Sequence, residues 1–389
     1  MSDHSSPDVV VLGAGLAGLG VAYRAARLGA RVVVVDRDRV GAGASTVAAG
    51  MLAPVAEADA GERDLLALGL QSAARWPGFA RELQEQSGVD PGYRELGTLV
   101  VARDRDGAEA LVREAQLREA LGAPVQRLLP SAARRLEPAL APSIRGALLA
   151  PDDHAVDPRA ALEALATAAR ACGVVVRERT TATGVAVHDG RVAGLDLQDG
   201  TRLAAESVVL AAGAWSGSLR DALPAEVRVP VRPVKGQLLR LRGRVGAAAA
   251  QQVPVLERVV RFDAGYLVPR EDGTVVLGAT MEEQGFDTQV TALGLHELLR
   301  DVHEVVPGVL ELAVEQALAG LRPGTPDNAP LLGPHPALPG LHLATGHHRN
   351  GVLLAPITAD LVAAGLTGTG APIAPAFAPE RFSTAGLAA

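Results

Sequence analysis

Three textures of apolar and polar positions run along this chain. Short, unbroken apolar runs come first: Val9-Val-Val-Leu12 and Val32-Val-Val-Val35, with Val208-Val-Leu210 and Leu341-His-Leu-Ala344 far downstream. Runs this short and this apolar predict strands buried on both faces, as in a parallel sheet. A second texture spaces apolar residues at helical intervals. It predicts helices over 62–87, where Leu65, Leu66, Leu68, Leu70, Ala73 and Trp76 recur, and over 106–121, 158–171, 293–305 and 356–365. A short helix over 128–138 is set between prolines, and Asp157-Pro158 reads as a cap and first residue of the Ala-rich helix. The third texture is short strands broken by turns: 97–102, 146–150, 174–177, 183–188 and 192–197, with Asp189-Gly190 and Asp199-Gly200 as turns, and a strand-rich stretch over 228–320. The last 20 or so residues, rich in Ala, Pro, Gly and Thr, are expected to fray.

The first apolar run ends in Gly13-Ala-Gly15-Leu-Ala-Gly18, a helical pattern follows, and the next run ends at Asp36. This is the sequence form of a dinucleotide-binding βαβ unit. Gly13 allows the strand-to-helix turn, Gly15 lets backbone approach a pyrophosphate, and Gly18 lets the helix pack on the strand. The helix start offers free N–H groups to phosphates, and Asp36 can accept from a ribose hydroxyl. The motif alone does not separate FAD from NAD(P). Three later small-residue segments do: Ala44-Ser-Thr-Val-Ala-Ala-Gly-Met51, Val208-Val-Leu-Ala-Ala-Gly213-Ala-Trp215 and Thr345-Gly-His-His-Arg-Asn-Gly351. An extended FAD places its ring far from its adenine and needs later chain to wall it. The expected fold is therefore α/β: an FAD-binding Rossmann-like domain (1–88, 147–225 and 321–389) interleaved with an antiparallel β-rich substrate domain (89–146 and 226–320).

Composition narrows the function. The 389 residues carry a formal charge of −7, which gives no basic field for nucleic acid. No apolar run is long enough to span a bilayer, and the first residues show no signal-peptide pattern, so a cytoplasmic protein is expected. Cys172 is the only cysteine, which excludes an internal disulfide or a multi-cysteine metal site, and helix-end packing is its expected role. The adjacent His347 and His348 share no helical face and have no carboxylate cluster beside them, so no metal is expected. Asp153-His154 invites a catalytic reading, and a turn near Pro151 explains it equally well.

Several stretches together resemble the glycine oxidases of the thiamine-pathway type, in the D-amino-acid-oxidase group of flavoproteins. They are Ala48-Ala-Gly-Met-Leu52 with Glu57, Pro233-Val-Lys-Gly-Gln237, Gly265-Tyr-Leu-Val-Pro-Arg270, Val276-Leu-Gly-Ala-Thr-Met281, Ala319-Gly-Leu-Arg-Pro-Gly-Thr-Pro-Asp327 and Gly346-His-His-Arg-Asn-Gly-Val-Leu-Leu-Ala-Pro356. The resemblance implies non-covalent FAD, and oxidation of glycine to an imine by hydride transfer, with O2 reoxidising the flavin to give H2O2. It also implies a homo-oligomer, a tetramer. Arg322 matches the family's carboxylate-binding arginine, Tyr266 the tyrosine beside that carboxylate, Met281 a pocket wall, and Arg349 a group near the substrate. The implied cofactor set is Gly13, Ala14, Gly15, Leu16, Gly18, Asp36 and Arg37 with Ala44, Ser45, Ala49, Gly50, Met51, Thr183 and Gly213. His347, His348, Arg349, Asn350, Gly351, Val352 and Leu353 complete it at the ring. Ala264 stands where a family member carries histidine, and His348 where phenylalanine is common. The first departure leaves room for sarcosine or small D-amino acids beside glycine. The competing readings are a D-amino-acid dehydrogenase, a sarcosine oxidase, an NAD-dependent dehydrogenase or a non-catalytic flavin-binding subunit.

Overall fold

The computed structural model describes residues 6–123, 125–243 and 256–382. The apolar runs form a six-stranded sheet in the order Leu331–Pro334, Leu341–Thr345, Ser207–Leu210, Val9–Leu12, Val32–Val35, Val175–Arg177. All neighbours are parallel except the outermost Leu331–Pro334 strand. The uniform runs are explained by burial on both faces. On one side lie the helices Leu16–Arg27, Arg63–Ser87, Pro158–Ala171 and Ala355–Leu366. On the other, the three-stranded sheet of Ala182–His188, Arg191–Leu197 and Arg202–Ala204 contributes Leu195 and Leu197 to a core with Val10, Val35 and Leu210.

The helix ends follow their sequence signals. Asp157 accepts from the Arg159 and Ala160 backbone N–H groups, and Pro158 occupies the first helical turn, where its missing N–H costs nothing. That helix stops at Cys172, which is partly buried against the core, as its expected packing role requires. Thr291 likewise accepts from Gly294 N at the start of Ala292–His303.

The second large sheet has eight strands in the order Ala313–Gly324, Arg232–Arg242, Thr274–Gly278, Gly265–Pro269, Val259–Phe262, Thr98–Ala102, Gly146–Ala150, Gln126–Leu128. It is antiparallel except where its two sequence pieces meet: Val259–Phe262 pairs parallel with Thr98–Ala102. Alternation separates its faces. Leu239, Val260, Phe262, Leu267 and Leu277 pack with Leu298 and Val302 of the Ala292–His303 helix. Leu238, Val259, Val268 and Val276 turn the other way, toward Ala49, Met51 and Tyr266.

Three details differ from the sequence reading. The Ala313–Gly324 strand pairs with Arg232–Arg242 as far as Gly324 and so runs past the boundary expected at 320, because a strand's extent is set by its partner. The Gly146–Ala150 strand crosses the boundary expected at 146 and pairs on both sides within the eight-stranded sheet. The tail is anchored, at least to residue 382. Phe377 is buried and its carbonyl accepts from Leu332 N, while Arg381 pairs with Asp327 at 2.7 Å. Composition hid these contacts because one aromatic and one arginine hold a segment otherwise made of small residues.

Candidate active site

A cavity of about 1260 Å³ runs from the C-terminal ends of the Val9–Leu12 and Val32–Val35 strands to the apolar face of the eight-stranded sheet. It exceeds the roughly 300–1,000 Å³ of ordinary small-molecule sites, as an extended dinucleotide with a substrate requires. Its first end is the glycine motif. Gly13 has φ +115°, and a Cβ there would lie 2.3 Å from the Ala211 carbonyl oxygen. A Cβ on Gly18 would lie 2.0 Å from the Gly13 carbonyl oxygen, so Gly18 serves the helix–strand contact and not the cavity. No acidic residue occupies the first turn of the Leu16–Arg27 helix, so no side chain of the helix itself neutralises its positive end.

Gly15, Leu16, Asp36, Arg37, Ala44 and Ser45 line this end. Asp36 already accepts from Ala14 N at 2.7 Å and Asp38 N at 2.9 Å, which fixes its carboxylate at the strand end and leaves oxygen lone pairs for a ligand. Ala14 itself contributes that N–H and does not line the cavity. Ser45 Oγ accepts from Leu16 N at 3.1 Å and so ties the small-residue loop to the helix start. Thr183 departs from expectation. It is exposed, its hydroxyl donates to the Asp196 carbonyl, and the neighbouring Thr181 and Ala182 line the cavity instead. The period-2 alternation of the Ala182–His188 strand turns Thr183 away.

Farther along, Ala49, Gly50, Met51, Gly213, His347, His348, Arg349, Gly351 and Val352 line the middle of the cavity. Arg270 braces this wall from behind: its buried guanidinium donates to the Ala49 and Val156 carbonyls, and burial holds its pKa down at about 10. Asn350 and Leu353 stand behind the wall. The Leu353 carbonyl accepts from Ser72 Oγ at 2.6 Å and Trp76 Nε1 at 3.0 Å. His347 Nε2 lies 2.9 Å from Thr358 Oγ1. Burial lowers the pKa of both His347 and His348 to about 4, so both rings are neutral near pH 7. His348 Nδ1 is buried with no partner among the described residues. An orphaned polar nitrogen on the cavity wall fits a polar ligand there. Among the described residues no cluster of His, Cys, Asp and Glu could hold a metal.

At the far end, two side chains lie flat over glycines of neighbouring strands. Arg322 pairs in register with Val234, and a Cβ on Gly236 would meet its guanidinium at 2.4 Å. Tyr266 pairs with Gly278, where a Cβ would meet the phenol oxygen at 2.6 Å. Arg322 Nη1 donates to the Thr280 carbonyl at 3.0 Å and the Lys235 carbonyl at 3.3 Å. No carboxylate pairs with Arg322 among the described residues, so its positive charge is left for a ligand, with the Tyr266 phenol beside it. Burial raises the Tyr266 pKa, Arg322 opposes that rise and Glu57 adds to it, which keeps a neutral O–H donor at working pH. Arg349, expected near the substrate, has its guanidinium already engaged. It lines the cavity, but its Nη2 donates to Glu62 at 2.6 Å, and its Nε lies 4.0 Å from Glu57. Met281 is 64% exposed and forms the rim, not an inner wall. Sequence reasoning assigned no role to Lys235, Gly236, Gly278 or Phe286. The spacing of Lys235 and Gly236 beside the arginine strand was the available signal, but cross-strand register is not readable from one sequence.

A helix-start phosphate site, a long cavity and a cationic end together define a flavin-type oxidoreductase with a two-part cavity. The chain belongs to the FAD dependent oxidoreductase family, whose model (DAO) matches residues 8–364, and its cofactor is FAD. It is 36% identical over 359 residues to a glycine oxidase of Geobacillus kaustophilus, covering 92% of each chain. A crystal structure of glycine oxidase from that organism superimposes with TM-score 0.89 at 33% identity, over 97% of this chain and 99% of that one. The bifunctional protein ThiO/ThiG of Synechocystis is 36% identical over 386 residues, and this chain spans 98% of itself but only 55% of that protein.

Proposed function

We propose that the protein oxidises glycine with FAD and O2: glycine, O2 and water give glyoxylate, ammonia and H2O2. The observation that carries this reading is Arg322, a guanidinium without an acidic partner among the described residues, facing the cavity beside a neutral tyrosine. FAD, when bound, supplies the electron acceptor for oxidation at the substrate α-carbon. The chain's residues bind and orient. Arg322 takes the carboxylate in charge-assisted hydrogen bonds, and Tyr266 donates one more. The carboxylate anchor aims the α-carbon toward the Gly50–Met51 and His348–Val352 walls, where the ring would sit. Desolvation beside cationic groups favours the neutral amine, so no side-chain base is required. The domains divide accordingly: residues 1–88, about 151–225 and about 325–389 hold the cofactor, and the rest, Arg322 included, hold the substrate. Similarity to the bifunctional ThiO/ThiG proteins supports a role in making the thiazole half of thiamine. The same family reading carries a cytoplasmic homo-oligomer, which cell fractionation and light scattering check.

A second reading is favoured by one observation. The hairpin tip Asp263-Ala264-Gly265 puts two small residues on the cavity lining, so N-substituted glycines such as sarcosine have room. A peroxide-coupled screen of glycine, sarcosine and small D-amino acids on the purified yellow protein tests both readings. Glycine giving peroxide with the largest kcat/KM supports the first, and larger values for sarcosine support the second. Flavin reduction without peroxide refutes an oxidase.

A further inference from the structure

The loop after the Thr274–Gly278 strand reaches both halves of the cavity. Near its start, Ala279, Thr280 and Met281 line the substrate end. Five residues later, Phe286 stacks on Trp215, with ring centroids 5.7 Å apart and planes at 25°. The Arg37 guanidinium lies 4.1 Å from the Trp215 ring. Arg37 and Trp215 line the cavity beside Asp36, at the end where the adenosine of a dinucleotide belongs.

The Pro233-Val-Lys-Gly-Gln237 stretch holds this loop down. Lys235 is 1% exposed, and its ammonium lies 2.5 Å from Asp287 and 3.7 Å from Glu282. The Lys235 and Glu282 backbones exchange two hydrogen bonds of 2.9 Å. Gln237 is fully buried. Its amide nitrogen donates to Glu282 at 2.7 Å and to Thr291 at 3.0 Å, and its oxygen accepts from Thr291 N at 2.8 Å. Between them, Gly236 makes the space in which Arg322 lies. A buried ammonium persists only where acids meet it, and two of the loop's three acids, Glu282 and Asp287, face Lys235, while Glu283 pairs with Arg232.

We propose that residues 279–291 form a strap that closes the substrate end and the adenosine end of the cavity as one unit, with Lys235 and Gln237 as its anchors and Phe286 as its clasp on Trp215. Lys235 is a positioning residue: it acts on the cavity through Glu282 and Asp287. The substrate half of the proposal rests on the glycine reading above, but the adenosine half does not. One loop so fixed makes cofactor retention and substrate affinity respond together to a change at either place.

The test measures release of FAD from the holoenzyme by the rise of flavin fluorescence after dilution, and glycine KM at saturating FAD. Phe286→Ala is expected to speed FAD release about fivefold, the worth of one aromatic pair. It should also raise glycine KM more than it lowers kcat, although Phe286 stands at the other end of the cavity. Phe286→Tyr should restore both. Lys235→Met should change both quantities in the same direction, and Asp287→Asn, on the exposed side of the same ion pair, covers the case in which the lysine variant does not fold. FAD release unchanged in Phe286→Ala would overturn the clasp whatever the substrate is. FAD release altered with glycine KM untouched would overturn the coupling and leave two independent closures.

Discussion

Replacing Arg322 with methionine keeps much of the side chain's length and removes the guanidinium. Three partners then change. The Thr280 and Lys235 carbonyls lose their donors at 3.0 and 3.3 Å, and the substrate carboxylate loses its counter-charge. Truncating one side of a buried charged hydrogen-bonded pair costs about 2–5 kcal/mol, because the other side stays desolvated. With about 3–4 kcal/mol assigned to the carboxylate, kcat/KM for glycine falls by about 10²–10³-fold, mostly through KM. Saturating FAD should still load the variant fully, because no cofactor-side residue hydrogen-bonds Arg322 among the described residues, and the lost bond to the Thr280 carbonyl of the strap should show only in the rate of FAD release. The assay is peroxide formation against glycine concentration, with flavin absorbance giving the loaded fraction. An amine substrate without a carboxylate is the control and should lose little. A fall below about threefold, or an equal loss for the carboxylate-free amine, would remove Arg322 from substrate binding.

Gly236→Ala puts a methyl group 2.4 Å from the Arg322 guanidinium and should raise glycine KM about tenfold or more while FAD stays bound, which the same titration reads. Gly13→Ala meets both a positive φ and the Ala211 carbonyl; purified protein should be colourless or unfolded, and normal flavin content would contradict the turn geometry. Arg270→Met leaves the Ala49 and Val156 carbonyls without donors and should cost about 3 kcal/mol of stability, seen as a lower Tm in thermal scans. His342, His347 and His348 are each held by burial near a pKa of about 4, below the ordinary 6.5. Between pH 6.5 and 4 the unfolded chain binds more protons through them, so stability falls as pH drops through that window. Asp153, raised to about 7 by burial, opposes this with a single proton. Tm at pH 5 should therefore lie below Tm at pH 7, and His342→Gln should flatten the slope; a Tm that rises toward pH 5 would contradict the sign.

The parts of the fold that were legible share one property: their physics is local. Buried strand runs, the Asp157 cap and the glycine turn are each dictated by a few neighbours in sequence, and the helix expected over 158–171 forms as Pro158–Ala171. What was not legible depends on partners far apart in sequence. Nothing near Arg349 in the chain announces that Glu62 will take its guanidinium, 287 residues away. Nothing near Thr183 says that its strand turns it outward while Thr181 and Ala182 line the cavity. Asp153 read as part of a turn. Its carboxylate in fact accepts from Val55 N and Ala56 N, pinning the segment that ends at Glu57.

The strand order of the six-stranded sheet also bears on how the protein is made. One of its two central strands, Ser207–Leu210, lies between Val9–Leu12 and Leu341–Thr345, so the sheet unites segments far apart in sequence. A ribosome that has released only the first 300 residues has produced the glycine turn and Asp36, but neither the final parallel strand nor the His347–Val352 wall. The nascent chain carries an open, apolar strand edge until residues 341–345 emerge, and such edges pair readily with other chains. Pairings this distant in sequence also close slowly. Premature termination upstream of residue 341 is therefore expected to yield an aggregation-prone product and not a smaller functional domain, and the yield of folded protein depends on residues 341–352 following promptly.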